Sequence, residues 1–237
     1  REGELLSECG AGTLDGAAAM IPIPPVTILD AAAGRLRDPL GRTRLAIIGA
    51  GPSRTLAPWD DPTWLIAGLN EIPQRRADLW YELHPMEKQN SRELRWLAVQ
   101  PLPVYVLELT PLVPAGVRYP IERVLAMPGA RDWFTSTFSY QAALAVLDGF
   151  TEIGVWGVDL RRGTLRERTV EWAGLAWWLG YAAGRGVRVT LPPDEISWSH
   201  PGRYGYDYDR EKTAVERQMD DLRDVCASWA HPILRLR

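Results

Sequence analysis

From Arg44 onward, short apolar runs alternate with stretches of helical periodicity, and few folds accommodate that alternation. The runs are nearly continuously apolar, as expected of strands buried on both faces of a parallel sheet. They cover residues 45–48, 64–69, 79–83, 104–107, 153–158 and 187–191. The helical stretches between them cover residues 91–99, 137–148 and 168–185. The pattern predicts an α/β fold: a Rossmann-like, doubly wound, mostly parallel sheet with helices on both faces and an irregular N-terminal arm.

Changes in composition divide the chain into three predicted parts. Residues 1–43 hold small residues and a proline-rich run, which predict the irregular arm, with a short strand or helix over residues 27–37. For residues 44–192 the alternation of strands and helices predicts a Rossmann-like nucleotide-binding domain. Residues 193–237 predict an aromatic loop followed by a charged C-terminal helix.

Composition excludes several classes of protein. The chain has 237 residues, 46% of them hydrophobic, which excludes a disordered chain. A net charge of -3 excludes a protein that wraps nucleic acid by charge alone. Cys9 and Cys226 are too few for a disulfide scaffold, so we expect a reducing, cytoplasmic setting. Charge or proline interrupts every apolar run before the length that a membrane span needs.

A glycine-rich turn, Gly49-Ala50-Gly51-Pro52-Ser53, directly follows the first predicted strand of the domain. Glycine lets the backbone approach a phosphate closely, and a helix start offers free N–H groups. The alternative is a tight turn that needs glycine for its backbone angles and binds nothing. The turn lacks the lysine of a nucleotide-binding P-loop and the third glycine of a dinucleotide-binding loop.

Polar residues also follow the neighbouring strands. Asn70 presents an amide after the second strand, and His84 ends the third, where it is an acid/base group, a phosphate contact or a buried structural residue. The helix start Thr135-Ser136-Thr137 has more hydroxyls than capping requires, and Asp159 ends a later strand. Because open α/β sheets bind ligands at the carboxyl ends of their strands, these features together predict one site.

Four segments carry a family resemblance: 47–53 (IIGAGPS), 68–70 (GLN), 134–137 (FTST) and 149–159 (GFTEIGVWGVD). They resemble the bacterial family 42 sialyltransferases and the related group of motility accessory factors and 6-hydroxymethylpterin diphosphokinase-like proteins, including uncharacterised phage proteins. The similarity covers roughly residues 44–192. In those sialyltransferases the corresponding segments hold a cytidine monophosphate sugar.

The resemblance implies roles for individual residues. Gly49, Gly51, Pro52 and Ser53 would contact a phosphate or a ribose. Asn70 and His84 would contact the donor. Thr135, Ser136 and Thr137 would line the nucleotide. The family follows its glycine–aspartate strand with an insertion that carries tyrosines and a histidine general base. Here Asp159 runs almost at once into an arginine-rich segment, residues 161–168, so the insertion is missing. Either that segment or the late loop with His200 and its tyrosines replaces it.

Three functions remain open from the sequence. The first is a nucleotide-sugar-dependent glycosyltransferase, with His84, His200 or Asp159 as catalytic groups and the sugar nucleotide as substrate. Its acceptor is a glycan, a small molecule or modified DNA, and no tightly bound cofactor or metal is predicted. The second is a pyrophosphoryl transferase that uses ATP and Mg²⁺. The third is an inactive Rossmann-like module of an assembly. The helix over 168–185 and the terminal helix suggest a homodimer.

Overall fold

The computed structural model describes residues 23, 25–70, 72, 74–158 and 165–192, together with positions 219, 222 and 223. The strands of this part are β1 (Thr27–Asp30), β2 (Arg35–Arg37), β3 (Arg44–Ile48), β4 (Trp64–Leu69), β5 (Leu79–Glu82), β6 (Val104–Val106), β7 (Gly116–Arg118), β8 (Glu152–Trp156) and β9 (Arg188–Thr190). The α-helices are α1 (Ser91–Leu97), α2 (Ile121–Leu125), α3 (Thr137–Leu147) and α4 (Leu165–Gly184). Short 3₁₀ helices cover Pro52–Leu56 and Met86–Lys88.

Strands β3 to β9 form one sheet in the order β7-β6-β5-β4-β3-β8-β9, and every neighbouring pair is parallel. The chain moves outward from β3 to β7 and then returns to the other side of β3 to add β8 and β9. The order therefore reverses between β3 and β8, where ligands bind in open α/β folds. The predicted α/β fold with a mostly parallel sheet is confirmed.

The two faces of the sheet have different covers. Helices α2, α3 and α4 pack on one face over a large apolar cluster that includes Ile47, Leu144 and Trp178. The other face carries two smaller clusters, one around Trp64 and Trp156, the second around Trp80 and Leu97 of α1. Neighbouring residues of a strand point to opposite faces, so each central strand needs apolar side chains at successive positions.

The connection from β4 to β5 has neither helix nor strand among its described residues. Its far end is fixed by Asp78, which precedes β5 and whose carboxylate accepts hydrogen bonds from Arg42 (3.0 Å), Arg76 (3.0 Å) and the amide of Ile66 (2.8 Å). Asp38 pairs with the other side of Arg42 at 2.9 Å. This buried ion cluster holds the connection against the start of β4.

Residues 27–37, inside the predicted arm, form an antiparallel hairpin of β1 and β2 beside the β7 edge of the sheet. The amide of Arg118 donates to the carbonyl of Ala31 at 2.8 Å. Gly34 turns the hairpin with φ +66°, and a Cβ there would lie 2.6 Å from the carbonyl oxygen of Arg118. Both constraints favour glycine at this position.

The predicted strands and helices of residues 44–192 are all present, with bounds that differ by a few residues. Strand β7 and helix α2 are additional, and α4 begins at Leu165, earlier than its predicted start. The predicted C-terminal loop and helix lie mostly outside the described residues. Within the described part, no helix combines the length and apolar character needed to cross a bilayer.

Candidate functional site at the carboxyl ends of β3, β4, β5 and β8

The glycine turn after β3 packs against the end of β8 through its backbone. The amide of Gly49 donates to the carbonyl of Trp156 at 2.8 Å, and the amide of Gly51 donates to that of Gly157 at 2.7 Å. The hydroxyl of Ser53 accepts from the amide of Gly157 at 2.7 Å. The N–H groups of both turn glycines are thus already paired within the protein. Packing therefore explains Gly49, where a Cβ would overlap the carbonyl oxygen of Gly157, and a ligand would meet the surface of the turn rather than these two donors.

Asn70 directly follows β4 and adopts the left-handed region, with φ +47°, the one positive φ of a residue other than glycine in the described chain. Asparagine tolerates this conformation better than most residues. Its amide N–H donates to the carbonyl of Tyr81 on β5 at 3.1 Å, which fixes the turn to the neighbouring strand. The side-chain oxygen Oδ1 is buried and has no hydrogen-bond partner among the described residues. An unpaired buried acceptor in an uncommon backbone conformation is typical of functional positions.

A buried carboxylate orients the predicted histidine. The imidazole Nδ1 of His84 lies 2.7 Å from Oε1 of Glu82. The side chain of Glu82 is fully buried and that of His84 is 53% exposed. The same Oε1 accepts from the side-chain amide of Gln89 at 2.8 Å and from the backbone N–H of His84 at 3.2 Å. We call this arrangement the Glu82–His84 pair.

The hydroxyls at the start of α3 are partly used in helix packing. Ser136 is the N-cap residue, but its side chain makes no capping hydrogen bond. Its Oγ lies 3.4 Å from Oγ of Ser139 in the next turn. The hydroxyl of Thr135 donates to the carbonyl of Glu171 in α4 at 3.5 Å. A Cβ at Gly174 of α4 would overlap the Thr135 hydroxyl, so close packing of α3 and α4 accounts for Thr135.

Strand order places the predicted residues along one edge. Gly49, Asn70 and His84 follow the adjacent strands β3, β4 and β5, and neighbouring strands are about 5 Å apart. Phe138 near the start of α3 lies against Gly49, which brings Thr137 and the helix N-terminus to the same edge. Pro52 begins the exposed 3₁₀ helix that follows the turn. Asp159 and His200 lie outside the described residues, as do the side chains of the arginine-rich segment.

A cavity of about 500 Å³ opens on the face of the sheet that carries α1. Its wall includes Asn70, Gln74, Trp80, Glu93, Trp96 and Gln100. We call it the Trp80–Trp96 cavity. Of the residues predicted from the sequence to bind a ligand, only Asn70 contributes to its described lining.

Sequence reasoning missed both this cavity and the role of Glu82. The eleven tryptophans of the chain carry no positional signal of function, since tryptophan usually fills cores. Glu82 had a signal: it lies two residues before His84, and such side chains share one face of a strand.

A second cavity, of about 200 Å³, lies at the amino ends of the strands, beside Leu45 near the start of β3 and Leu79 at the start of β5. Asp148, at the end of α3, borders it, and the loss of water around the carboxyl raises its pKa to about 6. In the part of the chain that the structure describes, no cluster of three or more histidine, cysteine or acidic residues is arranged to hold a metal ion.

The sheet topology and the residues at the carboxyl ends of the strands define an α/β protein with polar groups at its topological switch point. Neither a family model nor a curated protein sequence matches the chain. Among solved structures, the chain is similar to the sialyltransferase CstII from Campylobacter jejuni, in complex with the substrate analogue cytidine-5'-monophosphate. The TM-score is 0.43 and the identity 11%, over 76% of this chain and 99% of that one. CstII is a family 42 sialyltransferase. A likeness at this level assigns no residue a role.

Proposed function

We propose that the protein is a nucleotide-sugar-dependent glycosyltransferase that binds its donor at the carboxyl ends of β3 and β4 and uses His84 as general base. The Glu82–His84 pair carries the proposal. A fully buried carboxylate 2.7 Å from a half-exposed imidazole is an arrangement suited to proton transfer. It lies at the edge where open α/β sheets bind their ligands.

The pair fixes the tautomer of the imidazole. Because Glu82 accepts a hydrogen bond at Nδ1, the ring proton belongs on that nitrogen, and Nε2 of His84 keeps its lone pair. Nε2 is then the basic atom of the half-exposed ring. When His84 takes up a proton there, the Glu82 carboxylate stabilises the positive charge that forms.

The transfer needs no reactant besides the donor and the acceptor. Nε2 of His84 takes the proton of an acceptor hydroxyl as that oxygen forms a bond to the anomeric carbon of the donor. The bond between the anomeric carbon and the phosphate oxygen breaks, and the nucleotide phosphate leaves with the electron pair. The products are the glycosylated acceptor, the nucleotide and a protonated His84, which returns its proton to water.

The leaving phosphate is proposed to lie near the start of α3. The N-terminal end of a helix carries partial positive charge and favours anions. Ser136 does not cap this end with its side chain. Gly49, Gly51, Pro52 and Ser53 would form the floor beside it.

The rest of the donor site follows the same edge. Asn70 would offer its side-chain amide to the sugar, and Thr135, Ser136 and Thr137 would line the nucleotide. The finer expectations of the sequence, a phage-type enzyme in a cytoplasmic setting and additional catalytic groups at Asp159 and His200, remain proposals.

Calorimetric titration with a panel of nucleotides and sugar nucleotides tests the proposal. We expect binding in the micromolar to millimolar range, and in the presence of an acceptor we expect release of the free nucleotide. His84→Gln should retain donor binding and lose about 10²–10⁴-fold in transfer rate. Lys88→Gln, an exposed neighbour, is the matched control and should keep full activity. Absence of nucleotide binding at millimolar concentration would end the proposal, and binding that requires ATP and Mg²⁺ would favour pyrophosphoryl transfer.

A further inference from the structure

The Trp80–Trp96 cavity has no role in donor binding as proposed, apart from its contact with Asn70. We infer that this cavity is the acceptor subsite and that its ligand is a saccharide. The inference rests on the proposed glycosyltransferase function and names the chemical class of the acceptor. A volume of about 500 Å³ lies within the range of small-molecule sites.

Two indole rings form the apolar part of the wall. Trp80 of β5 and Trp96 of α1 have ring centroids 4.6 Å apart and an interplanar angle of 55°. Trp80 is 4% exposed, whereas Trp96 is 37% exposed and keeps ring surface for a ligand. The C–H face of a pyranose ring is apolar and packs on such an aromatic surface, while its hydroxyls point outward to polar groups.

The remaining wall supplies groups suited to hydroxyls. The amides of Asn70, Gln74 and Gln100 carry acceptors, the carboxylate of Glu93 accepts, and the guanidinium groups of Arg75, Arg76 and Arg92 donate. Nε2 of Gln74 and Nε2 of Gln100 already donate to backbone carbonyls, so these two side chains offer a ligand their oxygens. Sugar hydroxyls also donate and accept, so each can pair with more than one of these groups. A mixed wall of amides, a carboxylate, guanidinium groups and indoles therefore matches a saccharide in its hydrogen bonding as well as in its apolar surface.

Unpaired polar atoms concentrate around this cavity. Seven buried side-chain nitrogen or oxygen atoms of the described residues have no hydrogen-bond partner, and four of them belong to the cavity wall. The four are Oδ1 of Asn70, Oε1 of Gln74, Nε of Arg76 and Nε1 of Trp80. Unpaired buried groups cost free energy, and native sites commonly satisfy them with a ligand or ordered water. Because these atoms are shielded from solvent, a ligand would reach them through small side-chain rotations.

The cavity is placed to deliver a hydroxyl to the base. Trp80 and Glu82 alternate with residues of the other face, so their side chains lie on one face of β5, and His84, two residues beyond the strand, contacts Glu82 through Nδ1. Two residues of strand separate Trp80 from Glu82 by about 7 Å. Gln89, which donates to Glu82, directly precedes the Asn90 cap of α1, the helix that carries Trp96. The same helix entry therefore supports both the Glu82–His84 pair and the cavity.

A nucleobase could also stack on indole, but the geometry favours the saccharide. Helix α3, whose N-terminus is proposed to hold the donor phosphate, packs in the cluster of Ile47 and Leu144. Trp80 belongs to a separate cluster on the other face of the sheet. The proposed donor nucleotide and the cavity thus lie on opposite faces of the sheet. Both reach the carboxyl ends of the strands, where the two substrates would meet.

Binding of saccharides in the absence of donor tests the inference. The probes are lactose, maltose, cellobiose and chitobiose at up to 20 mM (roughly twenty times a Kd of 1 mM). Their binding to the full chain is measured by saturation-transfer NMR and calorimetry. We expect at least one to bind, and Trp96→Ala to weaken that binding about tenfold or more while sugar-nucleotide affinity stays within about twofold. Trp172→Ala on α4, also 37% exposed, is the matched control and should leave both unchanged. Gln100→Ala, which leaves the two indoles in place, should weaken saccharide binding more mildly.

The outcomes separate this inference from the proposed function. Sugar-nucleotide binding without any saccharide binding would overturn the inference and leave the function standing. Loss of nucleotide affinity in Trp96→Ala with unchanged saccharide binding would also overturn it, because the nucleobase would then occupy the cavity. Saccharide binding that depends on Trp96, in a protein that binds no nucleotide, would support the cavity assignment and refute the transferase.

Discussion

Gly49 and Gly157 lie back to back where β3 and β8 end, so close that neither position has room for a side chain. A Cβ on Gly49 would overlap the carbonyl oxygen of Gly157, and a Cβ on Gly157 would lie 2.8 Å from the carbonyl oxygen of Gly49. Gly157 also has φ +67°, a conformation that residues with a Cβ rarely adopt. The switch point of the sheet is therefore built from two touching backbones.

Gly157→Ala should destabilise the protein because it combines a steric clash with backbone strain. Each effect costs on the order of 1–3 kcal/mol, so we expect a loss of roughly 2–5 kcal/mol in the free energy of unfolding, measured by urea denaturation. Gly180→Ala is the matched control. Gly180 lies within α4 with nothing in contact range of an added Cβ, so alanine should stabilise the helix by up to about 1 kcal/mol. An unchanged midpoint for Gly157→Ala would contradict this packing.

Glu82→Gln tests the carboxylate of the Glu82–His84 pair while keeping its shape. The amide can still accept from Nδ1 of His84, but it brings no negative charge to stabilise the imidazolium. We expect the transfer rate to fall about 10²–10⁴-fold, with donor affinity within about twofold of wild type and an altered pH–rate profile. Glu87→Gln, an exposed acid in the next 3₁₀ helix, should change none of these quantities. A normal rate in Glu82→Gln would remove the pair from the mechanism.

The sequence predicted the strands whose apolar runs are long and continuous. Strand β7 escaped prediction because Gly116–Arg118 is only three residues long and ends in an exposed arginine. Helix α2 escaped because Ile121–Leu125 is barely more than one turn, too short to show a helical period. Both elements are stabilised by their neighbours: the amide of Val104 in β6 donates to the carbonyl of Ala115, and Val124 is completely buried.

The candidate site was predictable in position but not in contacts. Strand ends fixed the common edge of Gly49, Asn70 and His84, because carboxyl ends of parallel strands lie together. The engagement of the Gly51 amide by β8 depends on two segments that meet only in the folded chain. The contact between Trp80 and Trp96 likewise depends on how α1 packs on β5, which no local pattern encodes.

Asp78→Asn should show how much the buried ion cluster beside β4 contributes to the free energy of unfolding. The substitution leaves the guanidinium of Arg76 without its carboxylate partner in a site where that side chain is only 10% exposed. Removing one member of a buried pair costs about 3–5 kcal/mol, which urea denaturation would detect. Asp60→Asn breaks the exposed pair with Arg75, whose side chains are 76% and 65% exposed, and should cost no more than about 1 kcal/mol. Equal losses in the two variants would show that burial does not set the strength of these pairs.

Asp148→Asn should stabilise the protein at neutral pH. The carboxylate lies at the C-terminal end of α3, where the helix dipole disfavours negative charge, and loss of water raises its pKa to about 6 from 3.8. Below about pH 4 the carboxyl is protonated in both the folded and the unfolded chain, so it does not alter stability. Between about pH 4 and 6 the unfolded chain ionises first, which favours unfolding, and above pH 6 this cost is constant.

Asparagine removes that cost, so its advantage in the free energy of unfolding should grow from pH 4.5 to pH 7.5. Because Asp148 retains exposed surface, water screens the charge and we expect a gain below about 1 kcal/mol. Denaturation in urea at the two pH values measures it, with the exposed Asp132→Asn as control. A gain in Asp148→Asn that is the same at both pH values would mean that the carboxyl ionises as readily in the folded protein as in the unfolded chain.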